Sequence, residues 1–87
     1  MYEKKATILK SVGLHARPAT FLIQKANEFS CSIWIEKDER RVNAKSLLGV
    51  LSLGVAQGAT INIIADGADE VVAVDTLCEL IGSDFAE

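Results

Sequence analysis

The sequence predicts an α+β fold in which a four-stranded, mostly antiparallel sheet carries three helices on one face. Short segments alternate apolar and polar residues, as half-buried strands do, and longer segments repeat apolar residues at helical spacing. Turn and capping residues separate the two kinds of segment. In chain order the segments are β-α-β-β-α-β-α, so we expect an open-faced sandwich that occupies residues 1–87 as one domain.

The first half of the chain contains three of the predicted strands and one helix. Residues 4–9 form a modest first strand, and apolar residues at helical spacing predict a helix over residues 16–29. Alternation predicts a strand over residues 31–36, and residues 40–43 return as a short strand after a polar turn.

The second half contains two helices around the strongest strand. Ser46 is a good N-cap for a short helix that stops at Gly54, residues 60–65 alternate as a strand, and Asp69 is expected to cap the last helix. The predicted buried face of that helix consists of Val71, Val74, Leu77, Cys78, Ile81 and Phe85.

Alternation also places two large apolar residues on the opposite face of the sheet. Trp34 and Ile64 fall on the side that the helices leave open. We expect both to be exposed, because single apolar residues on a surface are ordinary.

Composition excludes several classes of protein. A net charge of −3 argues against a nucleic-acid partner, and no apolar run approaches the roughly 20 residues needed to span a membrane. One histidine and two separated cysteines give no metal-binding pattern, so we expect no metal site. Cys31 and Cys78 are expected to be buried thiols, and the protein to be cytoplasmic.

Residues 13–19 (GLHARPA) place the only histidine where a helix is about to begin. Pro18 fits the first turn of a helix, so His15 lies beside backbone N–H groups that have no partner and beside the positive end of the helix dipole. Arg17 adds a guanidinium suited to phosphate oxygens, and both features favour a neutral, nucleophilic imidazole. Local physics supports a phosphoryl site and a histidine that merely caps a helix about equally.

Ser46 also has two interpretations. It is an N-cap, or it is a phosphorylation site where a dianion would stabilise the helix that follows. Leu47, Leu48 and Leu51 lie on a helix too short and too apolar to be buried all round, which predicts an exposed patch for a protein partner. The alternative is that the short helix closes one end of the core, and we favour that interpretation for Val50 and Leu53.

The chain resembles HPr, the histidine-containing phosphocarrier family of the bacterial phosphoenolpyruvate-dependent sugar phosphotransferase system. The resemblance covers essentially the whole chain. Two motifs carry it, residues 13–19 and residues 43–54 (NAKSLLGVLSLG), and both in order at this separation are highly specific.

The resemblance implies a role for each motif. His15 would accept a phosphoryl group on Nδ1 from phospho-enzyme I and pass it to sugar-specific IIA domains, with Arg17 and the amides of Ala16 and Arg17 holding the group. Ser46 would be modified by HPr kinase/phosphorylase, and the seryl-phosphorylated form would act as corepressor for a catabolite-control transcription factor. The implied docking surface consists of Thr20, Gln24, Leu47, Leu48 and Leu51.

The resemblance implies a stoichiometric carrier, not an enzyme, that needs no metal or organic cofactor, and we expect a monomer. The negative overall charge is compatible with such a carrier, because only the patch around His15, Arg17 and Lys45 must be positive. The rival is a mainly regulatory HPr-like module, although relatives of that kind have lost the histidine that is present here. Val12 departs from the Ser, Thr or Asn usual in the family, and leucines replace the Ile and Met often found after Ser46.

Overall fold

The computed structural model describes residues 1–8, 16–55 and 58–83, and for residues 16 and 17 the backbone only. His15 and Val12 therefore lie outside the described residues. The elements follow the predicted order, β-α-β-β-α-β-α. They are β1 (Tyr2–Thr7), α1 (Ala16–Ala26), β2 (Ser32–Lys37), β3 (Arg40–Asn43), α2 (Leu47–Ser52), β4 (Thr60–Asp66) and α3 (Glu70–Gly82).

The four described strands form one sheet in the order β1-β4-β2-β3. All three pairings are antiparallel, so the predicted fold class is confirmed. The sequence predicted a mostly antiparallel sheet, and the sheet of these four strands is entirely antiparallel. β4 lies inside the sheet and buries Ile61, Ile63 and Ala65 on one face, which agrees with its strong alternation.

The helices cover that same face. α3 contacts β1 and β4, and α1 contacts both α2 and α3. Leu22 of α1, Val50 of α2 and Leu77 of α3 are fully buried against the strand residues Ile35 and Ile63. One apolar layer between the sheet and the helices therefore holds the fold together.

α1 ends at Ala26 rather than at the predicted Phe29. The amide of Asn27 still bonds to the carbonyl of Ile23, but the amide of Phe29 bonds to the carbonyl of Ala26, only three residues back. That tighter spacing ends an α-helix. Phe29 packs against the core from the turn that follows the helix, so it falls at the helical spacing of apolar residues without being helical. Periodicity alone therefore predicted a helix that is too long.

The predicted buried face of α3 is correct in part. Val74, Leu77 and Ile81 are buried, whereas Val71 is 50% exposed and Cys78 only half-buried. Phe85 lies outside the described residues. The helix turns its small Ala73 toward the core instead, which lets α3 approach the sheet and leaves Val71 on the solvent side.

On the other face of the sheet, Ile64 is 1% exposed, so the prediction that it is exposed was wrong. It lies directly opposite Trp34 on β2 and Glu3 on β1. Directly opposed residues on one face are in contact, and the half-buried Trp34 is large enough to cover its neighbour. The open face thus has a small apolar centre of its own.

Candidate functional site

The N-terminus of α1 is the feature that the sequence singles out. Ala16 is the first residue of the helix, Arg17 the second, and Pro18 is buried in the first turn. His15 immediately precedes Ala16 in the sequence, although it lies outside the described residues. Because the first amides of a helix have no intrahelical partner, the backbone after His15 offers donors and a positive dipole end.

Two backbone hydrogen bonds fix where the segment that carries His15 departs from the sheet. The amide of Ile8 donates to the carbonyl of Ala59 at 2.9 Å, and the amide of Gly58 donates to the carbonyl of Ile8 at 2.8 Å. The connection from β1 to α1 and the connection from α2 to β4 therefore meet at one point of the backbone.

The predicted docking residues of α1 lie on its exposed face. Thr20 and Gln24 are both exposed and are four residues apart, which puts them on one side of a helix. Ala19, Leu22 and Ala26 are buried on the opposite side. α1 is thus amphipathic as the sequence predicts, with its polar side available at the surface.

Ser46 is the N-cap of α2, as predicted. Its backbone is extended (φ −112°, ψ 118°), and its Oγ accepts the amide hydrogen of Gly49 at 3.2 Å. Its carbonyl accepts the amide hydrogen of Val50 at 3.0 Å, which closes the first turn. The hydroxyl is half-buried at this point.

The residues of α2 and its C-cap divide between the surface and the core. Leu48 is 82% exposed and Leu47 is 42% exposed, while Leu51 is half-buried and packs against the core. Val50 and Leu53 are buried, as expected. The apolar patch therefore consists chiefly of the first two leucines after Ser46.

The side chain of Lys45 is engaged near the C-terminal end of α1. Its Nζ donates to the carbonyl of Phe29 at 2.7 Å, just beyond the C-terminal end of α1. In the sequence, His15 precedes the other end of that eleven-residue helix, which is about 16 Å long. Lys45 thus ties the approach to α2 onto the end of α1. The positive patch around His15, Arg17 and Lys45 stays a prediction, because His15 and the Arg17 side chain lie outside the described residues.

Asp69 stands at the N-cap position of α3, but its side chain makes no capping bond. Its carboxylate accepts hydrogen bonds from the amides of Ser30 (2.9 Å) and Cys31 (3.0 Å). Hydrogen bonds from Cys31 and Ser30 lower the pKa of the Asp69 carboxyl. Burial and then Asp69 raise the pKa of the Cys31 thiol to about 11, so Cys31 is an unreactive thiol.

Arg40 has a contact that the sequence did not predict, since the pattern placed it only at the start of the short strand over residues 40–43. Its guanidinium donates to the carbonyl of Ser52 at 2.9 Å and to the Oγ of Ser52 at 3.3 Å. The partner lies twelve residues away in another element, and no local sequence signal marks such a pair.

Across the described ranges, no group of His, Cys, Asp and Glu side chains could hold a metal ion. Within the same ranges, no helix is long and apolar enough to cross a membrane.

Similarity to known proteins extends over nearly the whole chain. The family model described as the HPr component phosphorylation site of the phosphotransferase system matches residues 2–83. The HPr-like protein Crh of Halalkalibacterium halodurans is 44% identical over 81 residues, which is 93% of this chain and 96% of that protein.

Solved structures of similar proteins match over the full length. HPr-C-His of Thermoanaerobacter tengcongensis is 48% identical, with a TM-score of 0.96 over 100% of this chain and 98% of that one. Crh of Bacillus subtilis, a dimer with a swapped domain, is 37% identical, with a TM-score of 0.78 over 100% of both chains.

Proposed function

The chain belongs to the HPr family of the phosphotransferase system, whose members carry phosphoryl groups rather than catalyse turnover, and we propose that it carries one on His15. The group would come from phospho-enzyme I and pass to sugar-specific IIA domains. All 87 residues would act as one cytoplasmic domain in sugar transport.

One observation carries this proposal: α1 begins at the residue after His15. Nδ1 of His15 attacks the phosphorus carried by phospho-enzyme I, a new N–P bond forms, and the bond between the phosphorus and the donor atom of enzyme I breaks. The backbone amides of Ala16 and Arg17 and the guanidinium of Arg17 would hold the phosphoryl oxygens. The same donors disfavour a second positive charge, so they favour the neutral imidazole before transfer and the dianionic product after it.

A regulatory role at Ser46 is the second candidate. Its N-cap position supports it, because a phosphoryl group there would lie beside helix amides and would not unfold α2. The similarity to Crh supports it as well. HPr kinase/phosphorylase would modify Ser46, and the product would bind a catabolite-control transcription factor. Both roles can coexist, since His15 is present.

Partner proteins would dock on Thr20 and Gln24 of α1 and on Leu47, Leu48 and Leu51 of α2. α1 and α2 contact one another, so these residues belong to neighbouring elements. The chain would act as a monomer, which sedimentation at micromolar concentration would test; a stable dimer would contradict this part.

The carrier role is tested by intact-mass analysis after incubation with phosphoenolpyruvate and enzyme I. We expect one acid-labile phosphoryl addition in the wild-type chain and none in His15→Ala. A second incubation, with ATP and HPr kinase/phosphorylase, should give one acid-stable addition that Ser46→Ala lacks. A chain that only the kinase modifies would overturn the carrier role and favour the regulatory module.

A further inference from the structure

Arg40 joins the strand β3 to the far end of α2. One guanidinium nitrogen donates to the carbonyl of Ser52 at 2.9 Å and the other to its Oγ at 3.3 Å. Ser52 Oγ in turn donates to the carbonyl of Gly49 at 2.6 Å. The last turn of α2 is therefore held by a side chain that belongs to another element.

Two further contacts place α2 directly over β3. The amide of Ser46 donates to the carbonyl of Asn43 at 3.1 Å. A Cβ built on Gly49 would lie 3.4 Å from the Cβ of Val42, so the helix approaches the strand closely there. Side chains alternate along β3, which puts Arg40 on the same face as Val42. The helix rests on Val42 in its middle and is fixed by Arg40 at its end.

α2 depends on such outside support. It is only six residues long, and isolated helices of that length are not stable in water. Its last turn contains no basic residue, so its own sequence does not complement the negative end of the helix dipole. Arg40 supplies that positive charge from β3 and a donor for a carbonyl that has no partner within the helix.

We propose that Arg40 is a positioning residue that sets the orientation of α2, and with it the presentation of Ser46 and the exposed Leu47 and Leu48 to a docking protein. The part that concerns docking rests on the proposed regulatory function. Loss of the guanidinium would let the end of α2 fray and tilt about the contact between Gly49 and Val42.

The chain supplies its own control variant. Arg41 is adjacent, has the same chemistry, and pairs with Glu36 at 3.4 Å on the opposite face of β3. We would compare Arg40→Ala, Arg40→Lys and Arg41→Ala in the full chain by amide hydrogen exchange. Exchange at Leu53 and Gly54 reports on the last turn, because their amides bond to the carbonyls of Val50 and Leu51.

In Arg40→Ala, we expect these two amides to exchange about three- to tenfold faster, since a charge-assisted bond is lost. Arg40→Lys should restore part of the protection, and Arg41→Ala should leave it unchanged. Unchanged exchange in Arg40→Ala would overturn the proposal, and so would equal acceleration at amides throughout the sheet.

Phosphorylation of Ser46 by HPr kinase/phosphorylase provides the second measurement. We expect Arg40→Ala to raise KM several-fold while kcat stays nearly constant, because the site is intact once α2 is seated. A raised KM with unchanged exchange would make Arg40 a contact residue and refute positioning. If the kinase does not phosphorylate the wild-type chain, the proposed regulation is contradicted. The hydrogen-exchange data would still show whether Arg40 holds the last turn of α2 in place.

Discussion

At the scale of single residues, Gly67 is the described glycine at which an added Cβ would come nearest to another part of the chain. A Cβ on Gly67 would lie 2.6 Å from the Cβ of Cys31 and 2.9 Å from its Cα. The φ of Gly67 is +151°, a conformation that other residues rarely adopt. The turn before α3 therefore requires glycine for two independent reasons.

We expect Gly67→Ala to lower the free energy of unfolding by about 2–4 kcal/mol, since it adds overpacking to backbone strain. Urea denaturation followed by circular dichroism would measure the loss. Gly82→Ala is the matched control. Among the described residues, no atom outside its chain neighbours and its own helix backbone lies within 4 Å of the added Cβ, and we expect a change of less than about 1 kcal/mol. Equal effects of the two substitutions would contradict the contact with Cys31.

Ser46 and Asp69 show which residue roles a sequence can predict. Both stand at N-cap positions and both have the preferred residue type. Ser46 caps its helix, because its partner amide is three residues away. Asp69 instead bonds to amides 38 and 39 residues away, and only the folded chain brings them near. The local partner could be predicted, and the distant one could not.

At the scale of elements, α2 combines an exposed patch with a buried anchor. Leu48 is 82% exposed, and Val50, two residues later, is fully buried. The two positions therefore separate the contribution of α2 to docking from its contribution to stability.

We expect Leu48→Ala to change the free energy of unfolding by less than about 0.5 kcal/mol. Loss of the Leu48 side chain should nevertheless weaken the docking of partner proteins, which would be measured as a raised KM of enzyme I for the chain. Val50→Ala should cost about 2 kcal/mol of stability, because it leaves a cavity in the core. Strong destabilisation by Leu48→Ala would mean that this leucine does not face solvent.

The strands and helix starts could be predicted from the sequence better than the helix faces. β3 has the predicted bounds, and α1 begins at the predicted Ala16. The exposure of Val71 and the burial of Ile64 could not be predicted. Both depend on neighbours in other elements, namely the sheet under α3 and Trp34 beside Ile64. For the candidate site, the sequence predicted the capped Ser46 and the exposed Leu48 but not Arg40.

At the scale of the whole molecule, charged groups join the N-terminal strand to α3. The terminal amine of Met1 lies 3.0 Å from the carboxylate of Glu70, and Lys4 Nζ lies 2.8 Å from that of Asp75. The hydroxyl of Tyr2 also donates to Asp75 at 3.2 Å. β1 is an edge strand, so these contacts support the side where the sheet has no further partner.

We expect these contacts to make the fold acid-sensitive. The amide of Gly67 and then the Met1 amine lower the pKa of Glu70, and Lys4 lowers the pKa of Asp75. The pKa of Asp69 is lowered as well, by Cys31 and Ser30. As the pH falls below about 4, the unfolded chain takes up protons that the folded chain resists, so stability is lost.

Urea denaturation between pH 7 and pH 2.5 would measure this loss. Asp69→Asn should lower stability at pH 7 and flatten the acid dependence, because an amide oxygen replaces only one of the two carboxylate acceptors. An unchanged acid dependence in this variant would show that Asp69 does not titrate abnormally in the folded chain.

Almost every described basic side chain is already engaged within its own chain. Lys4, Lys25, Lys37 and Arg41 pair with carboxylates, while Arg40 and Lys45 donate to backbone carbonyls. Paired charges project little field beyond a Debye length, and the chain as a whole carries −3. These six side chains should then add little to the dependence of diffusional encounter on ionic strength. Substitution of any one of them by a neutral residue should therefore change the association rate with a partner protein only slightly.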